Sequence, residues 1–233
     1  MVKSKSRPTT VKTRILSGYQ QMVRIDSEID SPLGPEEEKD LLDKIFEHMD
    51  GSDIIIFEDY DKGTITKNII KRVFQRAKEK NIPTVVDPKR RNFHSYGGAT
   101  IFKPNLKELV LGLKLDEKPK KIHDIIYATK KLKEVIDVDE IYLTLAEKGV
   151  IVKTSKEEIH VPAHIRTISD VSGAGDTVIS IISLCKALGL TTEFSAHLAN
   201  IGGGLVCEHV GVVPVSRTEL LEEASKNGLE KYL

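Results

Sequence analysis

The sequence contains no tryptophan, only two cysteines and no excess of charge of either sign. Its 35 basic and 35 acidic side chains cancel, which argues against nucleic acid or another polyanion as the default partner. Cys185 and Cys207 stand in apolar, helix-like surroundings without a C-x-x-C partner, and two unpaired thiols fit a reducing compartment better than a disulfide framework. We expect a protein without disulfide bonds that does not bind nucleic acid.

Long hydrophobic runs are also missing. No apolar stretch approaches the roughly 18 residues that a membrane-spanning helix needs, and Met1 is followed by charged residues rather than by the apolar region of a signal peptide. The 233 residues suffice for one substantial core or two small ones. These absences predict a soluble, cytoplasmic protein that has no membrane partner.

Two common phosphate-binding patterns are absent. No G-x-x-x-x-G-K-[ST] stretch occurs, which excludes a Walker-type P-loop. Gly173-Ala174-Gly175 has Val178 where the dinucleotide pattern G-x-G-x-x-G requires a glycine, so that pattern is excluded as well. A nucleotide site in this chain would have to be built in another way.

The stretch Asp170 to Thr177 reads D-V-S-G-A-G-D-T and is followed by an apolar run. This pattern predicts a loop that turns into a buried helix, where the amides of Gly173, Ala174 and Gly175 can converge on an anion at the positive end of the helix dipole. Beside that anion, Asp176 suits the removal of a proton from a hydroxyl that attacks a phosphoryl group. The alternative is a tight turn with Asp176 placed favourably against the dipole.

Alternating apolar strands and amphipathic helices follow a hairpin at residues 9–26, in which we expect one face to be covered. The predicted strands are 53–57, 83–89, 99–102 and 140–144, with a meander at 150–152 and 159–161; the predicted helices are 36–49, 66–80, 121–136, 174–188, 192–208 and one from 106. Such alternation predicts an α/β fold with a mostly parallel sheet and helices on both faces. Gly202-Gly203-Gly204 in the last helix would admit either a flat ring or a close neighbouring helix.

Polar side chains cluster where the predicted strands end. They are Asp59 and Lys62, Asp87 and Lys89, Asn105 and Glu108, and Thr144. In open parallel sheets, ligands bind outside the carboxyl ends of the strands. Any one of these positions could be an ordinary turn, but several on one edge, next to residues 173–176, favour a cleft that handles phosphate.

In this order the motifs resemble the PfkB (ribokinase-like) family of carbohydrate kinases. The resemblance rests on residues 170–177, on Lys103-Pro104-Asn105-Leu106-Lys107-Glu108 and on Thr144 to Gly149. Residues 7–14, 20–26, 59–63 and 87–89 are most similar to the D-glycero-β-D-manno-heptose 7-phosphate kinases of that family. The resemblance implies a ribokinase-like three-layer fold with a remnant β lid hairpin at residues 9–26.

The resemblance also implies roles for particular residues, with ATP and Mg²⁺ as cofactors. Asp176 would be the base, and the amides of Gly173, Ala174 and Gly175 would stabilise charge on the phosphoryl group. The expected nucleotide-binding residues are Asn105, Glu108, Thr144, Gly149, Asn200 and Val213, of which Asn105 and Glu108 would hold Mg²⁺ through water. The expected substrate-binding residues are Lys12, Arg14, Asp59, Lys62, Asp87 and Lys89. The four cations among them favour a small sugar that already carries phosphate.

The implied activity is phosphorylation of D-glycero-β-D-manno-heptose 7-phosphate by ATP in ADP-heptose synthesis. Two alternatives remain open: a PfkB kinase for another sugar or nucleoside, and a non-catalytic nucleotide-binding remnant or subunit of a split enzyme. Residues 1–233 resemble the C-terminal two-thirds of such a kinase without its front sugar-binding part. We therefore expect nucleotide binding with little sugar phosphorylation by this chain alone, and an exposed hairpin that could form a homodimer.

Overall fold

Eighteen elements of secondary structure make up the chain in the computed structural model, which describes residues 2–4, 6–18, 20–164 and 166–233, with only the backbone of Gln21. The predicted hairpin range includes Tyr19, which lies outside the described residues. The strands are β1 (Val11–Ser17), β2 (Gln20–Ser27), β3 (Ile55–Glu58), β4 (Thr84–Asp87), β5 (Ile101–Phe102), β6 (Glu140–Thr144), β7 (Val150–Lys153) and β8 (Glu158–Val161). The helices are α1 (Pro35–Met49), α2 (Lys67–Glu79), α3 (Leu106–Gly112), α4 (Ile122–Val135), α5 (Ala174–Ala187), α6 (Thr192–Val206) and α7 (Arg217–Lys226), and three short 3-10 turns complete the set.

The main sheet has six strands that lie side by side in chain order, from β3 to β8. Strands β3, β4, β5 and β6 are parallel, and β7 and β8 add an antiparallel edge. The carboxyl ends of the four parallel strands therefore meet at one edge of the sheet. This arrangement confirms the predicted α/β fold, its mostly parallel sheet and the meander.

Successive residues of each central strand enter different cores. Val86 packs in the cluster formed with α1 to α4, whereas Val85 packs in the cluster formed with α5 and α6. Both side chains are inaccessible to solvent, as expected for a parallel strand with helices on each face. The three-layer arrangement is thus confirmed. No helix in the described part of the chain has the length and apolar character to cross a membrane.

Side-chain caps set the starts of several helices. The Thr66 hydroxyl accepts a hydrogen bond from the amide of Ile69 at the start of α2, and the Thr191 hydroxyl does the same for Phe194 at the start of α6. Such caps satisfy amides that have no partner within the helix. Helix α7 was not predicted from the sequence, and it has no buried residue that could have produced a clear apolar periodicity.

The glycine run in α6 is explained by close helix packing. A Cβ at Gly202 would lie 2.2 Å from Ile181 Cδ1, and one at Gly203 would lie 2.7 Å from Val178 Cγ2, both on α5. At Gly204, a Cβ would approach the Arg166 side chain at 2.9 Å. Of the two explanations left open by the sequence, the structure therefore supports a neighbouring helix.

The N-terminal hairpin is present, but the prediction that one of its faces is covered is wrong. Every residue of β1 is exposed, and the pairing of Ile15 with Val23 and of Thr13 with Ile25 puts apolar groups on one face of the ribbon. A two-stranded ribbon has no second layer to bury that face unless another surface covers it. The hairpin forms because its strands pair, not because it joins the core.

Asp59, predicted to contact substrate, instead forms a buried polar cluster directly after β3. Its side chain accepts hydrogen bonds from Tyr96 Oη at 2.7 Å, Asn92 Nδ2 at 3.0 Å and the Asp61 amide at 2.8 Å. The residue is only 3% exposed, and these hydrogen bonds hold its side chain within the loop. Burial and then the hydrogen bond to Asp59 raise the pKa of Tyr96, which keeps the phenol protonated as a donor.

Replacing Tyr96 with phenylalanine should destabilise the fold, because it removes one of the two side-chain donors to the buried Oδ2 atom of Asp59. We expect the free energy of unfolding to fall by about 1–3 kcal/mol, measured by urea denaturation. Tyr127→Phe is the matched control, since Tyr127 is exposed and the same hydroxyl is lost there. Equal stability of Tyr96→Phe and the wild type would contradict the structural role given to Asp59.

Candidate active site

A cavity of about 1200 Å³ opens at the carboxyl ends of the parallel strands, under the N-terminus of α5. It brings together many of the residues predicted from the sequence. Those that line it are Asp87, Lys89, Asn105, Thr144, Gly149, Ala174, Gly175, Asp176 and Asn200. The volume exceeds the roughly 300–1000 Å³ typical of small-molecule sites, so it has room for a nucleotide and part of a second substrate.

The predicted anion loop turns into α5 as expected. Gly173 adopts a left-handed conformation at φ 83°, which favours glycine, and the first helical residue is Ala174. Asp170 braces this loop by accepting hydrogen bonds from the amide and hydroxyl of Ser172 and from the Gly211 amide. These hydrogen bonds, above all the one from the Ser172 amide, lower the pKa of Asp170. The Ala174 amide donates to the Val171 carbonyl at 3.4 Å, and the next amides of α5 have no partner inside the helix, while Ala174, Gly175 and Asp176 line the cavity.

Asp176 receives a hydrogen bond that the sequence did not predict. Tyr60, on the loop after β3, donates from Oη to Asp176 Oδ1 at 3.1 Å. Burial, followed by the charge of Asp176, raises the pKa of Tyr60 to about 12, so the phenol stays protonated and donates. The contact orients the Asp176 carboxylate across the mouth of the cavity.

Three carboxylates from different elements converge beside this contact. Oxygen atoms of Glu58, Asp87 and Asp176 lie within 4.8 Å of one another. Burial raises the pKa of Glu58 to about 7, and the charges of Asp87 and Asp176 add to this effect. A group of carboxylate oxygens at this spacing has the donor chemistry that Mg²⁺ prefers.

Asn105 and Glu108, predicted to hold Mg²⁺ through water, make a capping box at the start of α3. The Glu108 amide donates to Asn105 Oδ1 at 2.9 Å, and the Asn105 amide donates to Glu108 Oε2 at 2.8 Å. Lys89 binds the other oxygen of Glu108 at 2.7 Å. Burial acts to lower the pKa of Lys89, but Asp87 and Glu108 outweigh it and raise that pKa. Asn105 lines the cavity, whereas Glu108 lies behind it.

The loop from Thr144 to Gly149 forms another wall. Ala146 has a φ of 51°, a left-handed conformation that disfavours alanine, and Gly149 has a φ of 85°. A Cβ at Gly149 would lie 2.0 Å from the carbonyl oxygen of Val161, so only glycine fits there. Asn200 lines the opposite wall and donates to the Pro162 carbonyl at 2.7 Å. Val213 is half-buried and is not among the residues that line the cavity.

The predicted substrate cations near the hairpin lie apart from the cavity walls. Lys12 Nζ is 3.3 Å from Glu28 Oε2, and Lys62 donates to the other oxygen of Glu28. The hydrogen bond from Lys62, and then that from Lys12, lower the pKa of Glu28. Arg14 stands on the exposed hairpin opposite Arg24. Like Asp59, these three cations are absent from the cavity lining.

Comparison with known proteins shows the family. A profile described as pfkB family carbohydrate kinase matches residues 1–219. The chain belongs to the pfkB family of carbohydrate kinases. It is 38% identical over 214 residues to "Bifunctional protein HldE" of Koribacter versatilis, which covers 92% of this chain and 44% of that protein. The protein of the same name from Syntrophotalea carbinolica is 38% identical over 228 residues, covering 96% of this chain and 46% of that one. The chain thus spans less than half the length of these relatives.

Solved structures of pfkB-type kinases share the fold. Phosphofructokinase-2 from Escherichia coli in complex with potassium superposes with a TM-score of 0.81 at 16% identity, covering 94% of this chain and 70% of that chain. Ribokinase from Thermotoga maritima gives a TM-score of 0.68 at 18% identity, with the same coverage. The ribokinase-like fold is therefore confirmed for this pfkB kinase.

Three polar side chains of the site were not singled out from the sequence. Tyr60 and Lys103 lie inside motifs that carried the family resemblance, but without structure no contact distinguished them from their neighbours. Glu58 is the last residue of β3. Its neighbour Asp59, and not Glu58, was predicted to belong to the site. Adjacent residues of a strand point to opposite faces of a sheet, so the pattern indicates that Glu58 and Asp59 face different surroundings but not which of them faces the cavity.

The raised pKa of Glu58 predicts a pH-dependent effect on stability. The folded kinase keeps this carboxyl protonated up to about pH 7, whereas the unfolded chain releases the proton near its ordinary value of 4.5. Ionisation therefore opposes folding, and the penalty grows as pH rises between these two values and persists above them. Glu58→Gln removes the penalty, because glutamine stays neutral.

We expect Glu58→Gln to stabilise the protein, relative to the wild type, by about 1–2 kcal/mol more at pH 8 than at pH 5, after allowance for solvent screening. Urea denaturation in the presence of a chelator measures the difference. Glu134→Gln, at an exposed position, controls for general loss of a negative charge. The same difference at both pH values would show that Glu58 ionises normally in the fold.

Proposed function

We propose that this pfkB kinase transfers the γ-phosphoryl group of ATP to a hydroxyl of D-glycero-β-D-manno-heptose 7-phosphate. The observation that carries the proposal is the placement of Asp176 beside the first amides of α5, at the mouth of a cavity large enough for a nucleotide. The sugar is supported by the similarity of residues 7–14, 20–26, 59–63 and 87–89 to heptose 7-phosphate kinases and by the two HldE relatives.

In the proposed reaction, Asp176 accepts the proton of the sugar hydroxyl as its oxygen attacks the γ-phosphorus. A new phosphorus–oxygen bond forms, and the bond to the ADP oxygen breaks. The amides of Gly173, Ala174 and Gly175 stabilise the negative charge on the equatorial oxygens. Because Asp176 is already aligned by Tyr60, it does not need to reorganise before it accepts the proton.

The charges around the cavity support Mg²⁺ as a cofactor. The carboxylates of Glu58, Asp87, Glu108 and Asp176 outnumber the ammonium groups of Lys89 and Lys103 at this end of the site. A polyphosphate would be repelled here unless a divalent cation came with it. Mg²⁺ would supply that positive charge and offset the negative charge of the phosphates, and Glu58, Asp87 and Asp176 are the residues whose oxygens would hold it.

The substrate's own phosphate would bind near the hairpin. Lys12 and Lys62 share the Glu28 carboxylate, and Arg14 lies on the same ribbon. A phosphate monoester has the charge and the acceptor oxygens to compete with Glu28 for these cations. Asp87 and Lys89, at the end of β4, would contact the sugar side of the transferring group.

Asp176→Asn tests the assigned base. In a complete enzyme we expect phosphoryl transfer to fall by about 10²–10⁴, while ATP affinity stays within a few-fold because the amides of α5 are unchanged. A coupled assay for ADP release and calorimetry with ATP and Mg²⁺ measure the two quantities. Asp43→Asn, on the exposed face of α1, is the control. Near-normal turnover by Asp176→Asn would refute the assignment.

A panel of acceptors separates the proposed function from its alternatives. Turnover of heptose 7-phosphate well above that of unphosphorylated sugars and nucleosides supports the proposal. Turnover of only unphosphorylated acceptors favours a pfkB kinase of another specificity. Nucleotide binding without any turnover favours a subunit that needs a second polypeptide.

We also propose that two copies associate through the exposed hairpin. Its apolar face carries Val11, Ile15, Val23 and Ile25, each at least 46% exposed, while Lys12, Arg24 and Asp26 occupy the other face. A second copy has the same apolar face, so a two-fold arrangement of the hairpins would cover the apolar face of each copy at once. It would also protect the unpaired ribbon edges.

The double variant Ile15→Lys/Val23→Lys should abolish this association. The two residues are a cross-strand pair on the apolar face, so the new like charges would repel one another and those of the second copy. Sedimentation velocity at micromolar concentration should show a dimer for the wild type and a monomer for the double variant. Leu188→Lys, which replaces an exposed leucine elsewhere, should remain dimeric. A wild type that sediments as a monomer would rule out the hairpin interface.

A further inference from the structure

One arginine side chain joins both ends of the hairpin to the loop after β3. Arg7 lies just before β1 and is half-buried. Its guanidinium donates to the carbonyl of Ile29, at 3.0 Å, and to that of Ser31, both on the segment that leaves the hairpin. It also donates to the carbonyl of Lys62, on the loop after β3. Three stretches of backbone therefore meet at this side chain.

The backbone of Arg7 is itself held in place. Its amide donates to Ser4 Oγ at 2.9 Å, and the Ser6 hydroxyl donates to Glu37 Oε1 at 3.0 Å in the first turn of α1. A planar guanidinium has five donors in fixed directions, whereas the ammonium of a lysine is a compact point charge on a flexible stem. Arginine at this position thus has the geometry to hold several carbonyls against one another.

A second arginine joins the same two segments. Arg91 donates from Nη1 to the Asp30 carbonyl, and its Nη2 lies 3.3 Å from Asp30 Oδ2. The Arg91 amide donates to the Asp61 carboxylate at 3.2 Å. Asp61 has a φ of 56°, which residues other than glycine rarely adopt and which persists where surrounding contacts enforce it. The loop after β3 is therefore shaped by contacts with the segment that leaves the hairpin.

This loop carries the hydroxyl that binds Asp176. The Tyr60 side chain is 52% exposed, so packing alone does not fix the hydroxyl that donates to Asp176 Oδ1 at 3.1 Å. On one side of Tyr60 in the chain, Asp59 is held in its buried cluster. On the other side, residues 61–62 are held by the two arginines. A shift of residues 61–62 would consequently move the hydroxyl relative to Asp176.

We propose that Arg7 is a positioning residue for Asp176. By holding the Lys62 carbonyl to the segment that leaves the hairpin, it keeps the Tyr60 hydroxyl in contact with the Asp176 carboxylate. Arg91 supports the same loop. Arg7 lies away from the reacting atoms, and the proposal rests on the proposed function only in that it takes Asp176 as the proton acceptor.

Nuclear magnetic resonance of the full chain, isotopically labelled at the Cζ atoms of tyrosine, tests this role without requiring turnover. The Tyr60 signal is identified by its loss in Tyr60→Phe. Asp176→Ala gives the change in chemical shift that accompanies loss of the carboxylate acceptor. Arg7→Met should move the Tyr60 signal in the same direction by more than half of that change. Arg76→Met is the matched control and should leave the signal in place, because Arg76 forms an exposed ion pair with Glu79 within α2.

Arg7→Lys provides a second test, which stays decisive if Arg7→Met fails to fold. Lysine keeps the positive charge, but its ammonium cannot reproduce a planar fork that binds carbonyls in two segments. The Tyr60 signal should therefore move part of the way towards its position in Asp176→Ala. A role in stability alone would lower the melting temperature and leave the Tyr60 signal of the folded protein unchanged.

Two results would overturn the proposal. An unchanged Tyr60 signal in a folded Arg7→Met or Arg7→Lys variant would show that Arg7 does not position the loop. An unchanged Tyr60 signal in Asp176→Ala would show that the hydroxyl does not bind Asp176 in solution. Neither result touches the proposed function, which is decided separately by the turnover of Asp176→Asn and by the panel of acceptors.

Discussion

The site depends on how closely helix α5 packs against its neighbours. Ile179 and Ile182 are inaccessible to solvent beneath the helix, and α6 can approach only because Gly202 and Gly203 lack side chains at the contact. This packing holds the first turn of α5 over the carboxyl ends of the parallel strands, where residues far apart in sequence meet it. A side chain in the glycine run would push α5 outward and widen the distance between its amides and the strand ends.

Electrostatic balance is the second constraint on the site. Helix amides attract an anion, whereas the carboxylates at the ends of β3 and β4 repel one. Burial, and then the charges of Asp87 and Asp176, raise the pKa of Glu58, so a further negative charge is disfavoured at this position. A ligand that combines phosphate with a divalent cation satisfies both halves. The same arrangement would disfavour phosphate alone, which is a useful property in a kinase that must distinguish its nucleotide from free phosphate.

The fold was largely predictable, because strands and helices of the core carry strong apolar periodicity; β6 was predicted without error at residues 140–144. The loop that turns into α5 was predictable from local rules. Its left-handed turn favours glycine at Gly173, and the start of a helix favours an acidic side chain such as Asp176. Side-chain partners were not predictable, since Asp59 and Glu58 are adjacent in sequence but face a buried cluster and the cavity edge, respectively. Likewise, the sequence could not show that Lys89 and the Asn105 amide donate to the Glu108 carboxylate.

Asp176 and the hairpin are linked by one packed segment. Gly63 packs against the Ser31 to Leu33 segment, which follows the hairpin. A Cβ at Gly63 would lie 2.0 Å from the Ser31 carbonyl oxygen, and the Gly63 carbonyl accepts a hydrogen bond from the Leu33 amide at 3.1 Å. The loop that contains Gly63 also carries Tyr60, which binds Asp176. A displacement of the Ser31 to Leu33 segment would therefore also move the loop whose Tyr60 donates to Asp176. The segment after the hairpin and the Tyr60 donor to Asp176 therefore belong to one packed region, although the hairpin contributes nothing to the core.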